Sequence, residues 1–198
     1  MDQLTEIIER PEVKVLLDLI RISNTETYHH SLSVANIVNQ MLDYTDYSNE
    51  EKKEILIGAL LHDTGKIFIP FNLTQFPNSL SNPEYDIIKI HSCLSYEITH
   101  TVFSKMVQDI CLYHHERPDG SGYVSKIKLI DIPPEALLVQ IADIFDALIS
   151  KRAYKEGYKI EEAIEKMRAE ANQLKIDDYY LNILEKVLIN NPICKKNE

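Results

Sequence analysis

The segment "CLYHHERPDGSGYV" (Cys111 to Val124) sets His114 beside His115 and follows them with Glu116, Arg117 and Asp119. Imidazoles and carboxylates are the groups that ligate divalent metals or carry protons near neutral pH. The chain has seven histidines: His29, His30, His62, His91, His100, His114 and His115. A histidine taken singly is most simply a hydrogen-bonded or exposed one, so its neighbours decide its reading. Adjacent helical residues point roughly 100° apart. His114 and His115 at a helix end would therefore serve two neighbouring ions, with a carboxylate such as Asp63 bridging them.

Four other places offer matching groups. Glu26 and His30 are four apart at a helix start, so they share a face and can reach one ion; an ordinary surface pair fits them equally well. His62–Asp63 ends the apolar run "ILIGALLHDTGK". Burying that pair is costly unless both groups are satisfied, and a metal would satisfy both. Lys66 follows on the same side, and Gly65 lets the chain turn. The alternative is a helix end with His62 capping carbonyls and Asp63 paired to Lys66. His91, in "DIIKIHSCLSYEI", sits on or beside an apolar stripe and could equally be a satisfied core histidine. Asp143 and Asp146, with Gln140, interrupt the otherwise apolar helix "ALLVQIADIFDALIS", and buried carboxylates need partners.

Histidines mixed with carboxylates, and no cysteine among them, suit Fe, Mn or Zn in an open, higher-coordinate site. Two such ions can activate water and clamp the oxygens of a phosphoester displacement. No Ser–His–Asp or Cys–His nucleophile pattern and no Walker loop is present.

The elements that must position these groups are helices. Apolar residues recur at helical spacing almost throughout, and strand-like alternation is scarce. The pattern predicts helices over Glu12–Ile22, Glu26–Leu42, Glu50–His62, Pro83–Thr101, Ser104–His115, Pro134–Ser150, Ile160–Gln173 and Asp177–Asn190. Ser48 with Glu51, and Ser81 with Glu84, fit the capping box at helix starts. Gly65–Asn82 and Arg117–Pro133 read as long loops, the kind that carry function. The fold class is all-α, one domain.

Composition agrees. The 198 residues are 44% hydrophobic and 26% charged, a soluble globular balance for one sizeable core. Cys93, Cys111 and Cys194 are far apart, the N-terminus has no signal-peptide pattern, and no apolar run is long enough to span a membrane. A cytoplasmic protein is expected. The net charge of −10 argues against binding long nucleic acids. His114 to Lys155 is neutral, with six basic and six acidic residues, so a small anionic substrate would be tolerated there.

Three segments together resemble the HD-GYP subgroup of HD-domain phosphohydrolases. "LLHDTGKIFIP" is similar to that group's HD-x-G-K-I-x-I-P segment, "HHERPDGSGYV" to its HHE-x-x-DG-x-GYP signature, and "IADIFDALISKRAYK" to its D-x-F-DAL-x-x-x-R-x-YK helix end. They occur in the family's order between Glu26 and Lys155. The resemblance implies a single HD-domain helical bundle with long active-site loops over residues 26–198, C-terminal helices included, preceded by a helical extension at 1–25. It implies metal ligands at Glu26, His30, His62, Asp63, His91, His114, His115 and Asp143, holding two or three divalent ions, Fe or Mn, with Glu26 and His30 serving the third. Asp63 and Lys66 would be catalytic, Lys66 contacting the scissile phosphate or orienting the water. Arg117, Asp119, Gly120, Gly122, Tyr123, Asp146, Arg152 and Lys155 would bind substrate.

The activity so implied is that of a second-messenger phosphodiesterase. A metal-activated water would hydrolyse cyclic di-GMP to pGpG and onward to GMP. An HD phosphohydrolase acting on another nucleotide, cyclic GMP–AMP included, and a catalytically inactive cyclic dinucleotide-binding module are the alternatives; the full set of ligand-type residues favours the enzyme. Val124 stands where the family has the proline of its GYP triplet, Phe76 where lysine is frequent, and Ser33 where arginine is usual. The segment after Tyr123 lacks the usual glycine-bearing turn. These departures bear on loop geometry and substrate choice. With about 25 residues before Glu26, regulation is expected from a homodimer or a partner in trans rather than from an attached sensory domain.

Overall fold

A computed structural model describes residues 3–74, 81–151 and 156–190. Phe76, Arg152, Lys155 and Cys194, named above, lie outside the described residues. Every regular element among those described is helical. The α-helices are α1 (Gln3–Ile8), α2 (Pro11–Ser23), α3 (Thr25–Leu42), α4 (Asn49–Leu61), α5 (Phe71–Thr74), α6 (Asn82–Thr99), α7 (Lys105–Tyr113), α8 (Pro134–Ile149), α9 (Ile160–Ala171) and α10 (Asp178–Asn190). Short 3-10 turns occupy Thr64–Phe68 and Leu129–Asp131.

Helix α4 is central because its C-terminal half is apolar all round. Ile55 to Leu61 are all fully buried, which only a helix surrounded by others permits. It packs on α1, α2, α3, α7 and α8. Helix α8 is the second central element, with Phe145 and Leu138 fully buried and the polar residues Gln140, Asp143 and Asp146 also inside. Helices α9 and α10 cover its far side, and α6 packs on α7 and on the Thr64–Phe68 turn. Ile7, Val13, Leu17 and Ile20 of the first two helices share the same core.

Local signals account for the helix starts. Ser48 Oγ accepts from the Glu51 N–H while Ser48 N–H donates to the Glu51 carboxylate, the full capping box. At α6, Ser81 N–H and its hydroxyl donate to Glu84 at 2.8 and 2.6 Å. Asn24 separates α2 from α3: its N–H caps Ile20 O, and its side chain accepts from Thr27 N–H. The predicted loop at Gly65–Asn82 instead begins inside a 3-10 turn and contains the four-residue α5. Both segments are too short to show a period, and they form because they pack on α6. The same brevity hides α1. No described helix is long and apolar enough to cross a membrane.

Candidate metal centre

Five helices and one 3-10 turn deliver imidazoles and carboxylates to one buried point. His30 comes from α3, His91 from α6 and Asp143 from α8, while His62 and His114 are the C-terminal caps of α4 and α7. Asp63 opens the 3-10 turn, and Lys66 lies within it. Gly65 makes the convergence possible. A Cβ there would lie 2.1 Å from His91 O, and its N–H donates to Ser95 Oγ at 2.8 Å. The turn therefore lies directly on α6, bringing Asp63 up to His91.

The histidines are oriented by their own helices. Nδ1 of His62 lies 2.8 Å from Ala59 O, that of His91 2.7 Å from Ile88 O, and that of His114 3.0 Å from Cys111 O. A carbonyl only accepts, so each Nδ1 carries the proton and each Nε2 presents a lone pair inward. His30 is held differently: its Nδ1 lies 2.7 Å from Asp146 Oδ2, and Asp146 also accepts the Ser33 hydroxyl. This is the carboxylate–imidazole arrangement that fixes a ligating ring and raises its basicity.

Around Asp63 the contacts are dense. Its Oδ2 meets Lys66 Nζ at 2.6 Å, His62 Nε2 at 3.4 Å and His30 Nε2 at 3.7 Å, and its Oδ1 lies 3.2 Å from His91 Nε2. Asp143 Oδ1 is 3.0 Å from His30 Nε2. Ligand atoms within 4.8 Å of one another form three overlapping groups: Asp63, His91, His114 and His115; His30, His62 and Asp63; and His62, His114 and Asp143. The overlap is what adjacent ions sharing ligands require.

Two features test whether cations fit. His62 Nε2 and Asp63 Oδ1 are fully buried yet have no hydrogen-bond partner, which is costly for a site made of protein alone. The Nε2 atoms of His91 and His114 also face each other at 3.3 Å, with both protons already committed to Nδ1. A cation between such lone pairs and carboxylates satisfies all of them. The donor set fits divalent metal.

The charge states of His91, His114 and His115 agree with this. Burial lowers the pKa of His91 to about 4 and that of His115 to about 3, with His91 adding to the effect on His115. Burial also lowers His114 far below the usual range, so these rings are neutral, as ligands must be. At His30 burial opposes charge, but the carboxylates of Asp143 and Asp146 outweigh it and raise its pKa to about 9. Burial likewise opposes charge on Asp63, and the Lys66 ammonium beside it overcomes this, so the carboxylate stays ionised.

The loop after His115 folds back over the centre. Glu116 is fully buried and accepts the N–H groups of Ser125 and Lys126. Gln140 Nε2 donates to His114 O at 3.0 Å and to Glu116 O, tying this turn to α8. Gly122 lies so close to His115 O and Arg117 N that a Cβ would meet them at 2.5 and 2.4 Å. The Tyr123 ring then rests 4.7 Å from that of His115, centroid to centroid. The Tyr123–Val124 peptide is cis.

A family model described as "HD domain" matches residues 14–179. The chain belongs to the HD-domain family. It is 34% identical to a cyclic di-GMP phosphodiesterase of Thermotoga maritima, over 87% of this chain and 46% of that one. It is 31% identical to the 3'3'-cGAMP-specific phosphodiesterase 2 of Vibrio cholerae, over 78% of this chain and 30% of that protein. The chain thus spans less than half the length of these curated relatives. Among solved structures, an HDG"Y"P protein from Bdellovibrio bacteriovorus shares the fold, with a TM-score of 0.69 and 23% identity over 94% of this chain and 68% of the other.

Within this HD domain, His30, His62, Asp63, His91, His114, His115 and Asp143 gather as described, with Lys66 against Asp63. Glu26 lies one turn before His30, is exposed, and belongs to none of the three groups. Asp146, expected at the substrate, is 2% exposed and lies behind His30 as its hydrogen-bond acceptor. Arg117 pairs with Glu170 of α9 at 2.8 Å. Asp119 accepts Ser121 N–H within its own loop, and Gly120 has a φ of 82°, a conformation suited to glycine. Sequence reasoning assigned no site role to Gln140, Glu116 or Ser33. The signal at Gln140 was present: a lone amide among apolar residues must find buried partners, and the paired-histidine turn supplies them.

Proposed function

We propose that the chain is a metal-dependent phosphodiesterase that hydrolyses a cyclic dinucleotide, with cyclic di-GMP as the substrate and pGpG as the first product. The observation that carries this reading is the set of three overlapping ligand groups sharing His62, Asp63 and His114, with buried donor atoms that no protein group satisfies. Two or three ions, Fe or Mn, would be held by His30, His62, Asp63, His91, His114, His115 and Asp143, with Glu26 beside His30 serving the third. Bound divalent ions would supply Lewis acidity to the phosphoryl oxygens and acidify a water.

The chain's own residues do the rest. Lys66 keeps its ammonium 2.6 Å from Asp63 and 25% exposed, so it can meet a phosphate while holding the carboxylate ionised. Asp146 and Ser33 fix the His30 ring. Gln140, Glu116 and Gly122 set the loop whose Tyr123 walls the site above His115. Arg152 and Lys155 would hold the phosphates, as the family motif implies.

The relatives' names support this substrate class, and they also raise 3'3'-cGAMP as a second substrate. The test is metal analysis of anaerobically purified protein, then product identification with cyclic di-GMP and 3'3'-cGAMP side by side. Metal-loaded protein that cleaves neither would overturn the reading.

A further inference from the structure

Outside the metal centre, one surface cluster uses residues that no motif above includes. Tyr85 and Lys89 are four apart on α6, hence on one face, just before the ligand His91. Tyr85 is 46% exposed although it is a large aromatic. Its ring meets that of Tyr123 edge to face at 6.4 Å between centroids. Lys89 Nζ stands 4.5 Å from the centre of the Tyr85 ring and 5.9 Å from that of Tyr123. Tyr123 in turn rests on His115, and His115 lies 5.0 Å from His91, ring to ring. A continuous path of rings thus runs from the buried imidazoles out to Tyr85.

A cyclic dinucleotide poses a specific problem to this chain. Only one of its two phosphates can occupy the reacting position, so the other phosphate and two bases extend outward. The protein carries a net charge of −10, and an anion leaving the metal centre needs a local cation. An exposed aromatic face stacks on any purine, and a lysine ammonium is a suitable point charge for phosphate. Lys89 is paired with Asp86 at 2.8 Å, but Asp86 is 70% exposed and such a surface pair is weak enough to yield to phosphate.

We propose that Tyr85 and Lys89 form a nucleotide subsite beside the metal centre, Tyr85 stacking one purine base and Lys89 neutralising the phosphate that is not being cleaved. This rests on the cyclic dinucleotide reading above and adds to it the residues that recognise the far half of the substrate. The subsite accepts guanine and adenine alike, because stacking reads the π-face of a base and not its edge.

The test compares Tyr85→Ala, Tyr85→Phe and Lys89→Met with the wild-type 198-residue chain, on cyclic di-GMP and on bis(4-nitrophenyl) phosphate, a diester with no base. Tyr85→Ala should raise the Michaelis constant for cyclic di-GMP roughly 5- to 150-fold, the range for one base–aromatic stack. The ratio of kcat/KM for cyclic di-GMP to that for the simple diester should fall by the same factor. Tyr85→Phe should restore it, and metal content should match the wild type in all three. Lys89→Met should raise the constant and flatten its dependence on salt. An unchanged constant for Tyr85→Ala, while the wild type turns over cyclic di-GMP, overturns the subsite alone. Wild-type protein that cleaves the simple diester but neither cyclic dinucleotide overturns the substrate reading and the subsite with it.

Discussion

Replacing Gln140 by Met tests whether the paired-histidine turn is held from α8. The side chains are similar in length, so packing changes little, but the donor is lost. Gln140 Nε2 serves two carbonyls, those of His114 and Glu116, and both of these residues are fully buried. Leaving a buried acceptor unsatisfied costs about 1–3 kcal/mol. The Gln140 Oε1 has no hydrogen-bond partner itself, so removing it offsets about 1 kcal/mol of that loss. With both carbonyls orphaned, the net expectation is a destabilisation of about 1–5 kcal/mol, a large share of a total near 5–15 kcal/mol. Because the same turn presents His114 and His115, metal affinity should also fall by about 10- to 100-fold, as for other residues that orient ligands. Urea unfolding in chelator measures the first effect, and competition binding of Mn(II) measures the second. Stability within about 0.5 kcal/mol of wild type, together with unchanged affinity, would refute the reasoning.

Four further outcomes are expected. Asp63→Ala should abolish turnover and lower metal content while far-UV circular dichroism stays helical; retained activity would remove Asp63 from the centre. Gly65→Ala should destabilise the protein by about 1–3 kcal/mol or more, because the new methyl meets His91 O at 2.1 Å and the turn must leave α6; an unchanged denaturation midpoint would contradict this. Glu26→Ala should lower metal stoichiometry by one ion if α3 serves a third site, and equal stoichiometry would make Glu26 an ordinary surface residue. Saturating Mn(II) at about a hundredfold excess over its dissociation constant should add about 2.7 kcal/mol of stability over chelated protein. A thermal midpoint indifferent to metal would argue against the buried donors being ligands.

The helices and their caps were legible because their causes are local. Ser48 and Glu51 announce α4 from three residues' separation, and the all-round apolar run to Leu61 announces its burial. His62–Asp63, His114–His115 and Asp143 stood out by chemistry, since a His–Asp pair or a carboxylate in such an apolar run has to be satisfied, while Glu26, His30 and His91 were placed by the motif resemblance. What could not be read was pairing across distance. Asp146 was placed at the substrate by the motif resemblance, and its hydrogen bond to His30, 116 positions away in the chain, is visible only in the fold. Arg117 finds Glu170 only once α9 has docked. The 3-10 turn after Asp63 has no period of its own, and packing on α6 decides it. His62 also shows that two readings can hold together: it caps Ala59 O, and the same bond leaves Nε2 facing inward without a partner.

The Nδ1 bonds of His62, His91 and His114 each close within a single turn of the residue's own helix. The imidazoles are thus aimed by backbone that would exist without the surrounding loops, and the layer of candidate ligands is oriented separately from the rim. On the proposed function, substitutions in the Arg117–Pro133 loop or at the outer face of α6 would change which molecule is admitted without re-aiming these three histidines. On that proposal, a domain built in this way would exchange one phosphodiester for another through its rim. In this chain Val124, 38% exposed next to Tyr123, lies on that side of the division.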